Sequence, residues 1–131
     1  MSRLSAAVLA LAYAPFALAG DAKDAVPLPP EDAGKHVGEE TTFEMVVKAS
    51  KDRLAQRKEI YLDSTEDHTD PKNLAAVVTA DGAAKFKEAG VDDPAAYFKG
   101  KTIRVSGTVT LKSGEPRIEV NDPKQVKVVQ K

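Results

Sequence analysis

The chain has 131 residues, 42% hydrophobic and 30% charged, with 19 Lys and Arg against 20 Asp and Glu and a formal net charge of −1. That length suits one domain, the composition argues against a disordered or membrane-embedded chain, and the near-neutral total supplies no global field for a polyanion. Cysteine is absent, which removes disulfides, thiolate zinc sites, thiol nucleophiles, thioether-linked haem and a lipid-modified N-terminal Cys, so the fold must rest on a closed apolar core.

Met1-Ser2-Arg3 supplies one positive charge, and an uncharged Ala- and Leu-rich run follows from Leu4 to Ala14. Pro15 breaks that run, and Ala17-Leu18-Ala19 has the small-x-small pattern of a cleavage site. This is the pattern of an export signal over residues 1–19, cut before Gly20; the stretch is short and interrupted for a retained membrane anchor. A periplasmic or secreted location is expected, with no stable membrane insertion after cleavage.

Residues 20–40 hold Pro27, Pro29 and Pro30 among charges and alanines, and read as a spacer, with a short helical turn over Pro30–Gly38. From Thr42 the period becomes two, with Phe43, Met45 and Val47 on one face: a first strand. A charged stretch from Ser50 to Glu59 reads as a loop, and Ile60-Tyr61-Leu62 as a short second strand ending at Asp63. Ser64 to Lys72 is acidic and turn-rich. Leu74 to Thr79 is apolar on both faces, as expected of a buried third strand.

Helical composition follows from Asp81, the expected cap, to Ala89, with Ala84, Phe86 and Ala89 as its apolar side and Gly90 as its stop. A second short helix is expected from Pro94 to Phe98. In Lys101–Lys112, Ile103, Val105, Gly107, Val109 and Leu111 alternate with Arg104, Ser106, Thr108, Thr110 and Lys112. Gly107 in mid-strand marks a bulge or bend. Ser113-Gly114-Glu115 then turns the chain into a last strand, Arg117–Asn121, with Ile118 and Val120 inward.

Three strands, a helical interval and two more strands predict an all-β domain over residues 41–131: a five-stranded, OB-like Greek-key barrel with its helix between strands three and four. Two stretches carry a resemblance as well. Tyr97 to Val109 (YFKGKTIRVSGTV) and Gly114 to Val126 (GEPRIEVNDPKQV) are similar to bacterial OB-fold proteins, often exported and described as nucleic-acid-binding-like. The resemblance is strongest over about thirty residues, and His36-Val37-Gly38 and Asn73-Leu74-Ala75-Ala76-Val77-Val78 are compatible with it. It implies a fold and brings no catalytic residues.

In barrels of this kind a single strand lies across strands two and three between two loops acting as jaws. The first jaw here would carry Lys48, Lys51, Arg53, Arg57 and Lys58, the second Lys112 and Arg117, with Tyr61 as the one stacking ring. The competing reading is a solvated basic loop with Tyr61 in the core. Asp63, Glu66, Asp67 and Asp70, with His68 among them, crowd potential metal ligands into eight residues, but His68 and Leu74 stand where a calcium loop needs Gly and Glu, so a flexible acidic loop is the simpler expectation.

His36 and His68 are the only histidines, and no phosphate loop, dinucleotide fingerprint or nucleophile elbow occurs. No catalysis and no cofactor are expected. The resulting reading is a non-enzymatic envelope or secreted binding module whose ligand class stays open: single-stranded nucleic acid is what the fold suggests, and a protein, peptide or glycan partner is what the export signal suggests. A divalent-metal-dependent phosphodiesterase is the remaining alternative, although no active-site motif of the staphylococcal-type nucleases matches.

Overall fold

The two strongest period-two patterns in the sequence pair with each other. In the computed structural model, which describes residues 26–130, β1 (Glu40–Val46) lies antiparallel to β5 (Thr102–Lys112), setting Phe43 opposite Val105 and Met45 opposite Ile103. All four side chains are buried. Between these strands come β2 (Ala49–Arg53), α1 (Leu54–Arg57), β3 (Glu59–Asp63), β4 (Ala75–Thr79), α2 (Ala80–Glu88) and α3 (Pro94–Phe98). After β5 come β6 (Glu115–Val120) and β7 (Val126–Val128). The segment read as an export signal lies outside the described residues.

The architecture is mostly sheet with a helical interval between β4 and β5, an OB-like arrangement, but the closed five-stranded barrel is corrected. Seven strands form one sheet whose hydrogen-bonded neighbours run as an open path, β1-β5-β6-β4-β3-β2, with β7 also on β5. Among the described strands β4 pairs with β6 in parallel and the other pairs are antiparallel. The two ends of the path are consecutive strands joined by Val47 and Lys48. Val47 N–H donates to the Lys101 carbonyl and Lys48 N–H to the Asp63 carbonyl, each at 2.9 Å, so the chain swaps neighbours within two residues.

The expected Ser50–Glu59 loop is largely strand β2 and its one-turn helix. Its residues run Ala-Ser-Lys-Asp-Arg and none is fully buried. A strand with both faces near solvent has no apolar alternation to announce it. The expected spacer also changes character from Leu28 onward. Leu28 N–H donates to the Thr42 carbonyl and Glu44 N–H to the Leu28 carbonyl, each at 3.0 Å, laying this segment beside β1. A 3-10 turn over Pro30–Lys35 then buries Ala33 completely, and Gly38 N–H reaches the Val109 carbonyl at 2.8 Å.

The core lies on the inner side of the curved sheet. Ile60 and Leu62 of β3, Ala76 and Val78 of β4, and Ile118 and Val120 of β6 are all essentially inaccessible, each large aliphatic side chain contributing about 1.5–3 kcal/mol on burial. Phe86 of α2 and Phe98 of α3 close one side, ring edge to ring face at 5.5 Å. Thr79, not Asp81, caps α2, its hydroxyl accepting from Gly82 N–H at 3.1 Å. Ala84 and Ala89 are exposed, and Phe86 with part-buried Ala83 forms the packed side. No described helix is long and apolar enough to cross a membrane.

β5 changes partners at Gly107, holding β7 through Val105 and β6 from Val109. A Cβ at Gly107 would lie 2.6 Å from Ile118 Cγ2, so a larger residue there would have to displace that buried side chain. The gap in the ladder is filled by Gln125. Its Nε2 donates to the Ser106 and Glu119 carbonyls at 3.0 and 2.8 Å, and its Oε1 accepts from Asn121 and Asp122 N–H at 2.8 and 3.2 Å. One amide thus replaces the missing strand partner, satisfying backbone groups that would otherwise be orphaned.

Candidate functional site

The outer face of the same strands is polar. Residues in register share a face, so one row across the sheet reads Lys51, Tyr61, Val77, Glu119, and the next reads Asp63, Ala75, Arg117, Thr110. Arg57 of α1 borders these rows on one side, and the β5–β6 hairpin, turning through Ser113 (φ 54°) and Gly114 (φ 80°), brings Lys112 and Glu115 to the other. Together they enclose a groove of about 370 Å³.

Six of the eight expected ligand-binding residues line it: Lys51, Arg53, Arg57, Tyr61, Lys112 and Arg117. Lys48 stands outside at the β1–β2 link, and Lys58 stands outside in the left-handed residue ending α1 (φ 63°). The placement of Lys51 and Arg53 differs from the expected jaw. They belong to strand β2, which fixes their spacing by register instead of leaving it to a loop.

The cations divide into two kinds. Arg117 is clamped: its Nη1 donates to Glu59 Oε2 at 3.2 Å, the other oxygen of Glu59 accepts from Tyr61 O–H at 2.6 Å, and the guanidinium sits 5.9 Å from the Tyr61 ring centre. This trio forms a fixed floor. Val77 shares its row and is wholly buried although it lies outside the inner core. Lys51, Arg57 and Lys112 are exposed and make no hydrogen bond or ion pair with the described residues, and Arg53 reaches only the Asp52 carbonyl, at 3.5 Å. Their charges are available to a ligand.

One carboxylate sits deep in this basic groove. Asp63 is 3% exposed, and burial pushes its carboxyl above the ordinary 3.8, opposed by a hydrogen bond from Asn73. Asn73 Nδ2 donates to Asp63 Oδ1 at 3.2 Å. Asn73 is oriented in turn by its own Oδ1, which accepts from Thr65 N–H at 3.0 Å and Ser64 O–H at 3.3 Å. Sequence reasoning placed neither Asn73 nor His68, Ser113, Ala75 or Glu115 in the groove. The shared parity of Tyr61 and Asp63 on one strand was the available signal for the buried carboxylate.

The acidic segment does not converge as a metal site. Asp67 Oδ1 accepts from Thr69 N–H at 2.9 Å and Thr69 O–H at 2.6 Å, bonds that hold its carboxyl below the ordinary range. Asp70 Oδ1 accepts from Lys72 N–H at 2.8 Å, Glu66 is exposed, and Asp63 turns back to Asn73. Among the described residues no three His, Asp or Glu side chains are placed to hold a metal. Asp67 and Asp70 cap their own turns, and such loop carboxylates point along the loop.

No protein-family model matches the chain, and no curated protein matches it. Solved structures do. An aspartyl-tRNA synthetase from Entamoeba histolytica aligns with TM-score 0.53 and 11% identity over 80% of this chain and 21% of its own. A provisionally assigned aspartyl-tRNA synthetase from Leishmania major Friedlin aligns with TM-score 0.51 and 12% identity over 95% of this chain and 23% of its own. The chain therefore spans less than a quarter of either enzyme. At these identities the likeness is one of fold.

Proposed function

We propose that the protein is a non-enzymatic binding module that holds single-stranded nucleic acid along the groove over β2, β3, β4 and β6. The observation that carries this reading is the convergence of four exposed cations with no ion pair among the described residues, Lys51, Arg53, Arg57 and Lys112, around a clamped aromatic floor in a chain whose net charge is −1. Phosphates paired with the rim release counterions, and a base lies on Tyr61, the combination by which single strands are held with little sequence preference. The solved structures sharing the fold are of enzymes named for tRNA, which is compatible with a nucleic-acid partner.

The export-type pattern of residues 1–19 extends the proposal to a periplasmic or secreted location, tested by sequencing the N-terminus of the mature protein, which should begin at Gly20. Binding is tested with labelled single-stranded DNA and RNA against the purified protein at low and near-physiological salt. Affinity with a salt slope supports the reading. An absence of binding even at low salt overturns it and favours a peptide or glycan ligand, tested by capture from envelope extract.

A further inference from the structure

A carboxylate on the floor of a groove proposed to hold a polyanion works against phosphate, so its place there calls for a ligand group that donates. Asp63 is nearly inaccessible and lines the groove. Its Oδ1 is taken by Asn73 Nδ2, whose direction is fixed because Asn73 Oδ1 must accept the Thr65 N–H. Its Oδ2 has no hydrogen-bond or ion-pair partner among the described residues; His68, Lys51 and Glu115 lie near enough to influence it, and none bonds it. An acceptor so buried and half unsatisfied is costly unless a ligand completes it.

The neighbours of that carboxylate narrow the donor. Asp63 lies two residues beyond Tyr61 on the same face of β3, about 6.6 Å along the strand, a spacing that the width of one base spans. Guanine presents two adjacent donors on one edge, N1–H and the 2-amino group. Cytosine and adenine present one amino group beside a ring-nitrogen acceptor. In thymine and uracil the single N–H is flanked by two carbonyl oxygens, which a carboxylate repels.

We propose that Asp63 makes the groove selective among bases: it accepts a hydrogen bond from the amino edge of a base seated on Tyr61, guanine foremost, and turns away thymine and uracil. This rests on the nucleic-acid reading above. The stacking ring and the reading group are then adjacent outward positions of one strand, held by Glu59 and Asn73 respectively.

The test is equilibrium binding of four labelled oligomers of about eight nucleotides, all thymine except for two central positions carrying guanine, cytosine, adenine or thymine, with a fifth in which inosine replaces guanine. The guanine oligomer is expected to bind about tenfold more tightly than all-thymine, with cytosine and adenine between, and inosine, lacking the 2-amino group, to lose several-fold. Asp63→Asn should bring all the oligomers to within about twofold of one another while strengthening all-thymine binding, since a negative charge leaves the groove. Equal affinity of the wild type for all five overturns the inference and leaves the nucleic-acid reading standing. A guanine preference that survives Asp63→Asn, or is unchanged by inosine, also overturns it. If no oligomer binds at all, the nucleic-acid reading itself fails. The wild-type ranking and the inosine step need no variant, so they decide the matter even where Asp63→Asn does not fold.

Discussion

The basic groove and the acidic loop beside it began as equally dense clusters of like charge in the sequence, and the structure treats them oppositely. Lys51, Arg53, Tyr61 and Arg117 sit on paired strands, so alternation and register aim them at one volume. Glu66, Asp67 and Asp70 sit in a loop, where the nearest hydrogen-bond donors are backbone N–H groups a few residues away, and two of the three are taken up by those turns. Charges become a site when the backbone beneath them is already satisfied. A strand ladder meets that condition and a turn does not.

The largest effect on stability is expected at the joint between the two regions. Asn73→Ala removes acceptors from Thr65 N–H and Ser64 O–H and a donor from Asp63, and should cost about 2–3 kcal/mol in chemical denaturation. A cost near zero would mean that the loop does not depend on this anchor. Next comes the groove floor. Arg117→Ala leaves Glu59 without its cation, only the Tyr61 hydroxyl remaining on it. The side chains of this pair are 14% and 22% exposed, so a loss of about 1–2 kcal/mol is expected, with altered Tyr61 fluorescence.

A smaller effect is expected from pH. Because burial raises the Asp63 carboxyl above 3.8, the folded state binds more protons than the unfolded one in that range. The contribution is therefore fully present below 3.8 and lost as pH rises through the higher folded value. Relative to Asp63→Asn, the wild type should be more stable at the acid end of this window than at neutral pH. A parallel pH profile for the two would contradict the burial account. Smallest of all is the loop: Asp67→Ala should lower the melting temperature only slightly, and millimolar calcium should leave the wild-type value unmoved. A calcium-dependent rise that disappears in Asp67→Ala would restore a metal role.

The difference between the regions also explains what the sequence disclosed. Strands with one buried face, such as Ile103–Leu111 and Ile60–Leu62, announce themselves by period two, and so did the groove residues that share their outward parity. β2 did not, because none of its residues is fully buried. Leu28 and Ala33 were hidden by the prolines around them, which suit a spacer as well as they suit a segment lying against β1. The role of Gln125 was not legible: its four hydrogen bonds depend on a gap between β7 and β6 that no local pattern encodes. The Glu59 clamp needed the parallel pairing of β4 with β6 to bring Arg117 within reach.

The most direct test of the groove is the salt dependence of single-strand binding, compared between the wild type and a Lys51→Gln, Arg53→Gln, Arg57→Gln, Lys112→Gln variant. With four rim cations on phosphates, log K should fall against log salt with a slope of about −2.8 for the wild type, while the variant loses most of the slope and about a hundredfold in affinity near 50 mM salt. Its melting temperature should change little, because all four side chains are exposed. An equal slope and affinity in the two proteins would contradict the account and place the binding surface elsewhere.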